Sequence, residues 1–458
     1  MKNIFYDKSK IDYGNLLFPR RALWMLLIPL IIEQMLNSLM GMVDTLMLST
    51  VGDNAVGAVG TANTYIGIFI IMFGIITSGM TAVMTQNIGA GRDGVAYQAR
   101  QLGMIFNGVL GILLGGFLAV YAGKILDVIG IADNLRQPAN DYLKIVGGFA
   151  VLNALIPVFS GYLRAFGHTK QSLVASAIGN VLNLILNAIF LMVFKWGVKG
   201  VAIATVISRI VNLAILIIVS GTKIKAKQNP ERLRLREIFV QIIKIGIPSA
   251  LETVLYNVAM TLVTKFLNQM DPDGLNTTAR SYTSQITNFS YCIGAALAQA
   301  NAIMTGWRIG EKDYDACDRQ TRKAAIFGVI CAVSLETIFA LAGGAIMTLF
   351  SKDPEMISLV KKLLTIDIIL EIGRVTNLVY GNALKTSGDA VFPAVVAAVF
   401  MYVCAVGGTY FFGIHMGLCA IGAYIGLAMD ECVRAIGMYF RWKSGKWRKM
   451  SLVTKQAG

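Results

Sequence analysis

The chain has 458 residues, 55% of them hydrophobic and only 15% charged, with a formal net charge of +15. This apolar composition excludes an ordinary soluble domain, and two histidines, His168 and His415, leave nucleophile–histidine catalysis almost without candidates. Six cysteines form no CxxC or Cys/His cluster, so no disulfide framework, metal site or cofactor is expected and an enzyme reading is set aside.

Stretches of about 20 or more apolar residues read as membrane spans. Twelve are predicted, near 22–48, 56–87, 99–123, 140–165, 171–195, 198–221, 238–268, 280–306, 323–349, 357–386, 389–413 and 416–440. The polar stretch ahead of the first span, and that span's length, argue against a cleaved signal peptide. Of the 41 Lys and Arg, 27 fall in the termini and alternate loops against nine in the opposite loops. That bias predicts a multi-pass cell-membrane protein with both termini cytoplasmic, and it accounts for the net charge without nucleic acid. The run Lys223-Ile224-Lys225-Ala226-Lys227-Gln228-Asn229-Pro230-Glu231-Arg232 marks a boundary. It divides the chain into a first bundle (1–222), a basic cytoplasmic linker (223–236) and a second bundle (237–458). No GxxxxGK[ST] loop occurs, which argues against direct drive by ATP.

Charged side chains inside a bilayer are functional candidates by default. In span one, Glu33, Asn37, Met40 and Asp44 stand at i, i+4, i+7 and i+11, one stripe of a helix turned away from lipid. Span five offers Asn180, Asn183 and Asn187, the last two on one face. Span seven carries Glu252 four residues after Pro248, as Glu33 follows Pro29. Span eight carries Tyr282, Gln285, Asn288 and Tyr291 at helical spacing, open to a ligand or to interhelical hydrogen bonding. Span nine buries Glu336 with no partner visible in the sequence. Span ten sets Asp367, Glu371 and Arg374 on one face, where a carboxylate–arginine pair is more cheaply buried than either charge alone. In span twelve Asp430 and Arg434, at i and i+4, form a pair that closes a gate or holds the fold.

The landmarks occur twice. Ile88-Gly89 after Met84-Thr85 returns 221 positions on as Ile309-Gly310 after Met304-Thr305. Gly161-Tyr162-Leu163-Arg164 returns as the segment holding Leu384 and Lys385, and Ile125-Leu126 as Ile346-Met347. Two same-sense halves are the layout of a rocking transporter with a cavity where the halves meet. The expected fold is therefore an all-α polytopic membrane protein: twelve transmembrane helices in two six-helix bundles related by a parallel pseudo-two-fold repeat.

Pro29, then Val43-Asp44-Thr45, then Thr85-x-x-Ile88-Gly89-Ala90-Gly91-Arg92, resembles the first two helices of the multidrug and toxic compound extrusion (MATE) family. In the second half, Glu371-Ile372-Gly373-Arg374-Val375-Thr376-Asn377 followed by Leu384-x-x-x-Gly388-Asp389 is similar to a motif of its DinF-like bacterial branch. The resemblance spans nearly the whole chain. It implies an antiporter that exports amphiphilic, often cationic, drugs or metabolites by alternating access, driven by inward proton flow, with sodium as the other ion.

Under that resemblance Asp44 stands where the family's coupling aspartate sits. Glu33, Asn183, Asn187, Glu252, Asp367 and Glu371 are further coupling candidates. Asn183-x-x-x-Asn187 is similar to an Asn-x-x-x-Asp step of some members, so a second titratable group is missing here. Tyr256 occupies the position of an acid found in the sodium-coupled branch, which favours protons. Substrate contacts are expected from Asn37, Met40, Asn180 and Tyr256 and from the span-eight set, with a small-molecule substrate and a monomer working in the bilayer. The alternative is a flippase for lipid-linked oligosaccharides. It would need several cavity cations, and the in-span ones are Arg209, Lys244, Lys265, Arg374 and Arg434.

Overall fold

The computed structural model describes residues 20–224, 235–271, 274–348 and 350–453. The linker expected at 223–236 and the N-terminal basic stretch lie largely outside these residues. Within them the chain is helical and contains no β-strand. Six helical rods come first: α1 (Arg20–Ser49), α2 (Asp53–Gly89), α3 (Asp93–Ile129), α4, α5 (Thr169–Val193) and α6 (Gly197–Lys223). The fourth, α4, is broken, running Asp133–Gly147 and then Ala150–Ala165 with a bend of 44°. Six follow: α7 (Leu235–Met270), α8 (Leu275–Gly310), α9 (Tyr314–Met347), α10 (Pro354–Ser387), α11 (Val391–His415) and α12 (Cys419–Lys443).

Counting the bent α4, nine of these rods are long and apolar enough to cross a membrane by length and composition. The other three, α8, α10 and α12, miss that measure because their sequences carry charge or dense hydroxyl and amide groups. They are the helices that build the second unit's polar site. A backbone inside a bilayer satisfies its N–H and C=O groups within its own segment, so helices are what these sequences can form there. Wider π-type turns interrupt the rods at Leu143–Gly147, Ile189–Val193, Met401–Val406 and Thr409–His415.

The described residues form two compact units, one ending at Gly246 and the other running from Ile247 to Val453. Each repeats one plan. In the first, the second limb of α4 packs against α2, α3 and α6; in the second, α10 packs against α8, α9 and α12. Outside that core, α1 lies along α5. The second unit is closed at its end by a 3-10 turn, Lys446–Lys449. There the Trp447 ring stacks on Trp442 at 4.1 Å and its Nε1 donates to the Trp442 carbonyl. Trp442 Nε1 in turn donates to Asp318 of α9.

The first turns of α7 belong to the first unit because they lie backbone-to-backbone on α2. A Cβ at Gly79 would overlap the Ile242 carbonyl oxygen, and one at Gly246 would overlap that of Ile75. Glycine is needed here for close approach between helices. Gly79→Val or Gly246→Val is therefore expected to destabilise the fold by about 1–3 kcal/mol or more. Gly60→Ala, where a Cβ meets open space, should be neutral. Thermal melting of the purified full chain in detergent separates the two classes; equal melting temperatures for all three would refute the close-packing assignment.

Candidate functional site

In the first unit, the polar stripe of α1 meets a polar stripe of α5 rung by rung. Glu33, 5% exposed, accepts from Arg164 Nη2 at 2.6 Å, with the Ser172 hydroxyl at 3.4 Å. One turn along, Asn37 Oδ1 accepts from Ser176 Oγ at 3.3 Å and Asn180 Nδ2 at 3.1 Å. At the far end, Asp44 Oδ1 accepts from Asn187 Nδ2 at 2.9 Å. The same amide also donates to Asn183 Oδ1 at 3.2 Å, and Asn183 Nδ2 reaches Thr205 Oγ1 of α6 at 3.5 Å. Met40 sits on the stripe, half-buried, without a polar partner.

The Asp44 rung extends further than the sequence indicated. The Tyr142 hydroxyl, from the first limb of α4, lies against Thr205 and Asn63, and Arg209 of α6 acts electrostatically on both Asp44 and Tyr142. Asp44 thus sits half-buried among neutral amides and hydroxyls with one nearby guanidinium. Protonating it would remove a negative charge that acts on Arg209. Glu33 differs: its charge is already matched by Arg164.

The second unit encloses a cavity of about 380 Å³. Glu252, Tyr256, Thr287, Asn288, Tyr291, Arg374, Glu431 and Arg434 are among its walls. Glu252 pairs with Lys385 at 2.7 Å, the counterpart of Glu33 with Arg164 at the repeated motifs. Arg374 bonds Glu371, one turn back on α10, and also faces Glu431 of α12 at 3.7 Å. Arg434 grips Asp430 through both Nε at 3.0 Å and Nη2 at 2.8 Å, and reaches Glu431 at 2.9 Å. Asn377 Nδ2 adds a bond to Glu431 at 3.0 Å. These contacts are possible because α10 and α12 touch at Gly373, where a Cβ would come 2.6 Å from Cys432 N.

Two sequence expectations are corrected by this geometry. The span-eight set does not run along one face: Asn288 and Tyr291 reach the cavity, whereas Tyr282 packs toward Phe350 at 5.9 Å and Gln285 is exposed elsewhere. The cavity face of α8 is Ser284, Thr287, Asn288 and Tyr291, spaced i, i+3, i+4, i+7, as a helical face requires. The span-ten trio is also more than a trio. Its arginine is shared with Glu431, which the sequence reading passed over although it lies on α12 between Asp430 and Arg434. Arg164, Tyr142 and Thr205 were passed over as well. Arg164 could have been found, because the motif holding it repeats in step with the one holding Glu33.

The MatE family model matches the chain twice, at residues 29–189 and 248–411. The uncharacterized transporter YisQ of Bacillus subtilis is 33% identical over 434 residues, covering 93% of this chain and 94% of its own. The probable multidrug resistance protein NorM of Thermotoga maritima is 23% identical over 468 residues, covering 95% of each. Among solved structures, the Vibrio cholerae MATE transporter VcmN matches with a TM-score of 0.86 at 18% identity, over 93% of this chain and 96% of that one. An outward-facing multidrug resistance MATE family transporter matches at 0.83 and 21% identity, over 93% and 95%. These structures share the fold.

The contacts of Arg374 imply a structural cost for removing it. Arg374→Ala would strand Glu371, which is fully buried, and breaking a buried pair from one side typically costs about 3–5 kcal/mol. We expect a sharp fall in folded yield on size exclusion, recovered in part by Arg374→Ala with Glu371→Gln. Normal yield and melting with lost transport would instead assign Arg374 to mechanism.

Proposed function

Because the chain belongs to the MatE family of membrane transporters, we propose that it is a secondary antiporter. It exports amphiphilic, often cationic, compounds from the cytoplasm across the cell membrane, with protons flowing inward. Relatives named as multidrug resistance proteins support the substrate class. The loop charges support cytoplasmic termini. Carrying the coupling assignment is one observation: Asp44, half-buried, is held by Asn187 with Arg209 in electrostatic reach.

With Asp44 ionised, its charge offsets Arg209 and it accepts from Asn187. A proton on Asp44 removes that charge, weakens the attraction that acts on Arg209, and turns one carboxyl oxygen into a donor. Both changes alter which packing of α1, α5 and α6 is favoured, which is how a local charge change biases a two-state element. Asn187, being neutral, cannot share the proton. Glu33 stands eleven residues away, roughly 16 Å along the helix, and is matched to Arg164. Glu252, Asp367 and Glu371 are secondary coupling candidates, with Tyr256, Asn288 and Tyr291 as the cavity groups for substrate.

The flippase reading receives less support. Arg374 and Arg434 are occupied by carboxylates, and Lys244 and Lys265 are exposed. A pyrophosphate would therefore meet few of the cations it needs.

The test is efflux of a fluorescent organic cation from proteoliposomes, with proton and sodium gradients imposed separately. The wild type should respond to the proton gradient. Asp44→Asn, mimicking the protonated acid, should fold normally and lose gradient-driven movement down to the protein-free background. Export at the wild-type rate in Asp44→Asn would place coupling elsewhere. Scrambling of a lipid-linked sugar with no response to either gradient would favour the flippase.

A further inference from the structure

The second unit ends in a segment that takes no part in either polar site. It lies at the end that the loop charges assign to the cytoplasm. After α12 the chain turns at Gly445, whose φ of 67° is left-handed, and folds back as the 3-10 turn Lys446–Lys449. Trp447, 1% exposed, anchors that turn. Besides stacking on Trp442, it meets the Tyr314 ring edge-on at 5.9 Å. Arg448 Nη2 pairs with Asp315 Oδ1 at 2.9 Å. Farther on, the Met450 carbonyl lies so close to Gly388 that a Cβ there would overlap it, and Leu452 is buried. Residues 446–452 thus form a folded cap over the start of α9 and the ends of α10 and α12.

The cations here divide into two sets. Arg441 is held by Asp389 at 2.6 Å and Arg448 by Asp315. The neighbouring acids are engaged as well: Asp318 accepts from Trp442, Asp313 caps the first turn of α9, and Glu311 pairs with Arg308. Lys443, Lys446 and Lys449 are exposed and make no ion pair among the described residues. In a 3-10 turn residues i and i+3 eclipse, so Lys446 and Lys449 stand side by side while Trp447 turns inward between them. Lys443 ends an outward stripe of α12. Ile436, Phe440 and Lys443, at i, i+4 and i+7, are all exposed, the first two at 56% and 61%. The Lys443 Nζ lies 5.9 Å from the Tyr439 ring. The stripe passes from aliphatic to aromatic to cationic, the order met on leaving hydrocarbon for headgroups.

We propose that this cap is a binding site for anionic phospholipid, with Lys443, Lys446 and Lys449 taking the phosphates of headgroups in the leaflet beside α12. Three exposed ammonium groups without acids call for an anionic partner. The apolar stripe that leads to Lys443 selects a lipid over a soluble anion, because acyl chains can lie on Ile436 and Phe440 while the headgroup meets the lysines. Each lysine near an anionic surface adds to the attraction, and salt screens it. A ligand that binds the folded cap also stabilises it, so lipid composition sets how firmly α9, α10 and α12 are tied at this end. The site rests on the membrane-spanning fold of the family, and on neither the coupling ion nor the exported compound.

The test is hydrogen–deuterium exchange of the full chain in lipid nanodiscs, where both leaflets present the same lipids and neither orientation nor transport enters. Discs of phosphatidylcholine alone are compared with discs that also contain phosphatidylglycerol. In the wild type, phosphatidylglycerol should slow exchange in residues 445–453 by roughly tenfold or more, and high salt should remove the effect. The triple variant Lys443→Gln, Lys446→Gln, Lys449→Gln changes only exposed side chains, so it should fold and lose the difference between the discs. A control with the same loss of charge, Lys2→Gln, Lys8→Gln, Lys10→Gln, should keep it. Equal exchange in the two discs for the wild type overturns the proposal. So does a slowing that survives in the first triple variant, or one that is lost equally in the control. Inorganic phosphate that slows exchange as much in phosphatidylcholine discs would assign the site to a free anion and likewise overturn it.

Discussion

Placing a carboxylate inside a membrane helix forces the rest of the fold to supply something that neutralises it. Most of the polar architecture here follows from that requirement. Glu33 is answered by Arg164 and Glu252 by Lys385, at matching places in two halves that repeat one sequence. The same bond is therefore made twice, but with different cations. Arginine offers a planar fork, and Arg164 also touches Ser172; lysine is a flexible point charge. The two halves thus share one electrostatic solution and differ in the cation that supplies it.

Other acids are not matched in this way. Asp44 has amides and a shared, more distant guanidinium. Glu336 has no hydrogen-bond partner at all. A fully paired charge is locked in one state, whereas an underpaired one can exchange a proton without breaking the fold. Counting partners around each acid thus separates those that the fold neutralises from those that it leaves underpaired.

Much of this was legible in the sequence, and the reasons are specific. The α1 stripe and the Asn183–Asn187 step were readable because i, i+4 spacing fixes a helical face regardless of what lies opposite. Twelve rods followed from apolar runs, and the doubled plan from repeated motifs. The span-eight set failed because steps of three residues drift by about half a turn over nine residues, carrying Tyr282 away from the face of Tyr291. Arg209 was seen as an in-span cation but not as the neighbour of Asp44, since that proximity comes from α1 and α6 meeting in space. Glu431 was hidden by a plausible local pair, Asp430 with Arg434, that drew attention from the residue between them. Glu336 was visible as a buried acid, but its lack of partners can only be read from three dimensions.

The wide turns near the ends of α5 and α11, at Ile189–Val193 and Thr409–His415, occupy corresponding positions in the two repeats. In such a turn the backbone has already given up its ordinary i to i−4 bonding and holds one residue more than a regular helix would. Bending there severs fewer bonds than bending mid-helix, so each half carries a soft point in the same strand of its repeat. On α5 it begins two residues beyond Asn187, the amide that holds Asp44. Under the proposed coupling role of Asp44, a change in that carboxyl's charge would act on a helix whose regular bonding is interrupted immediately downstream.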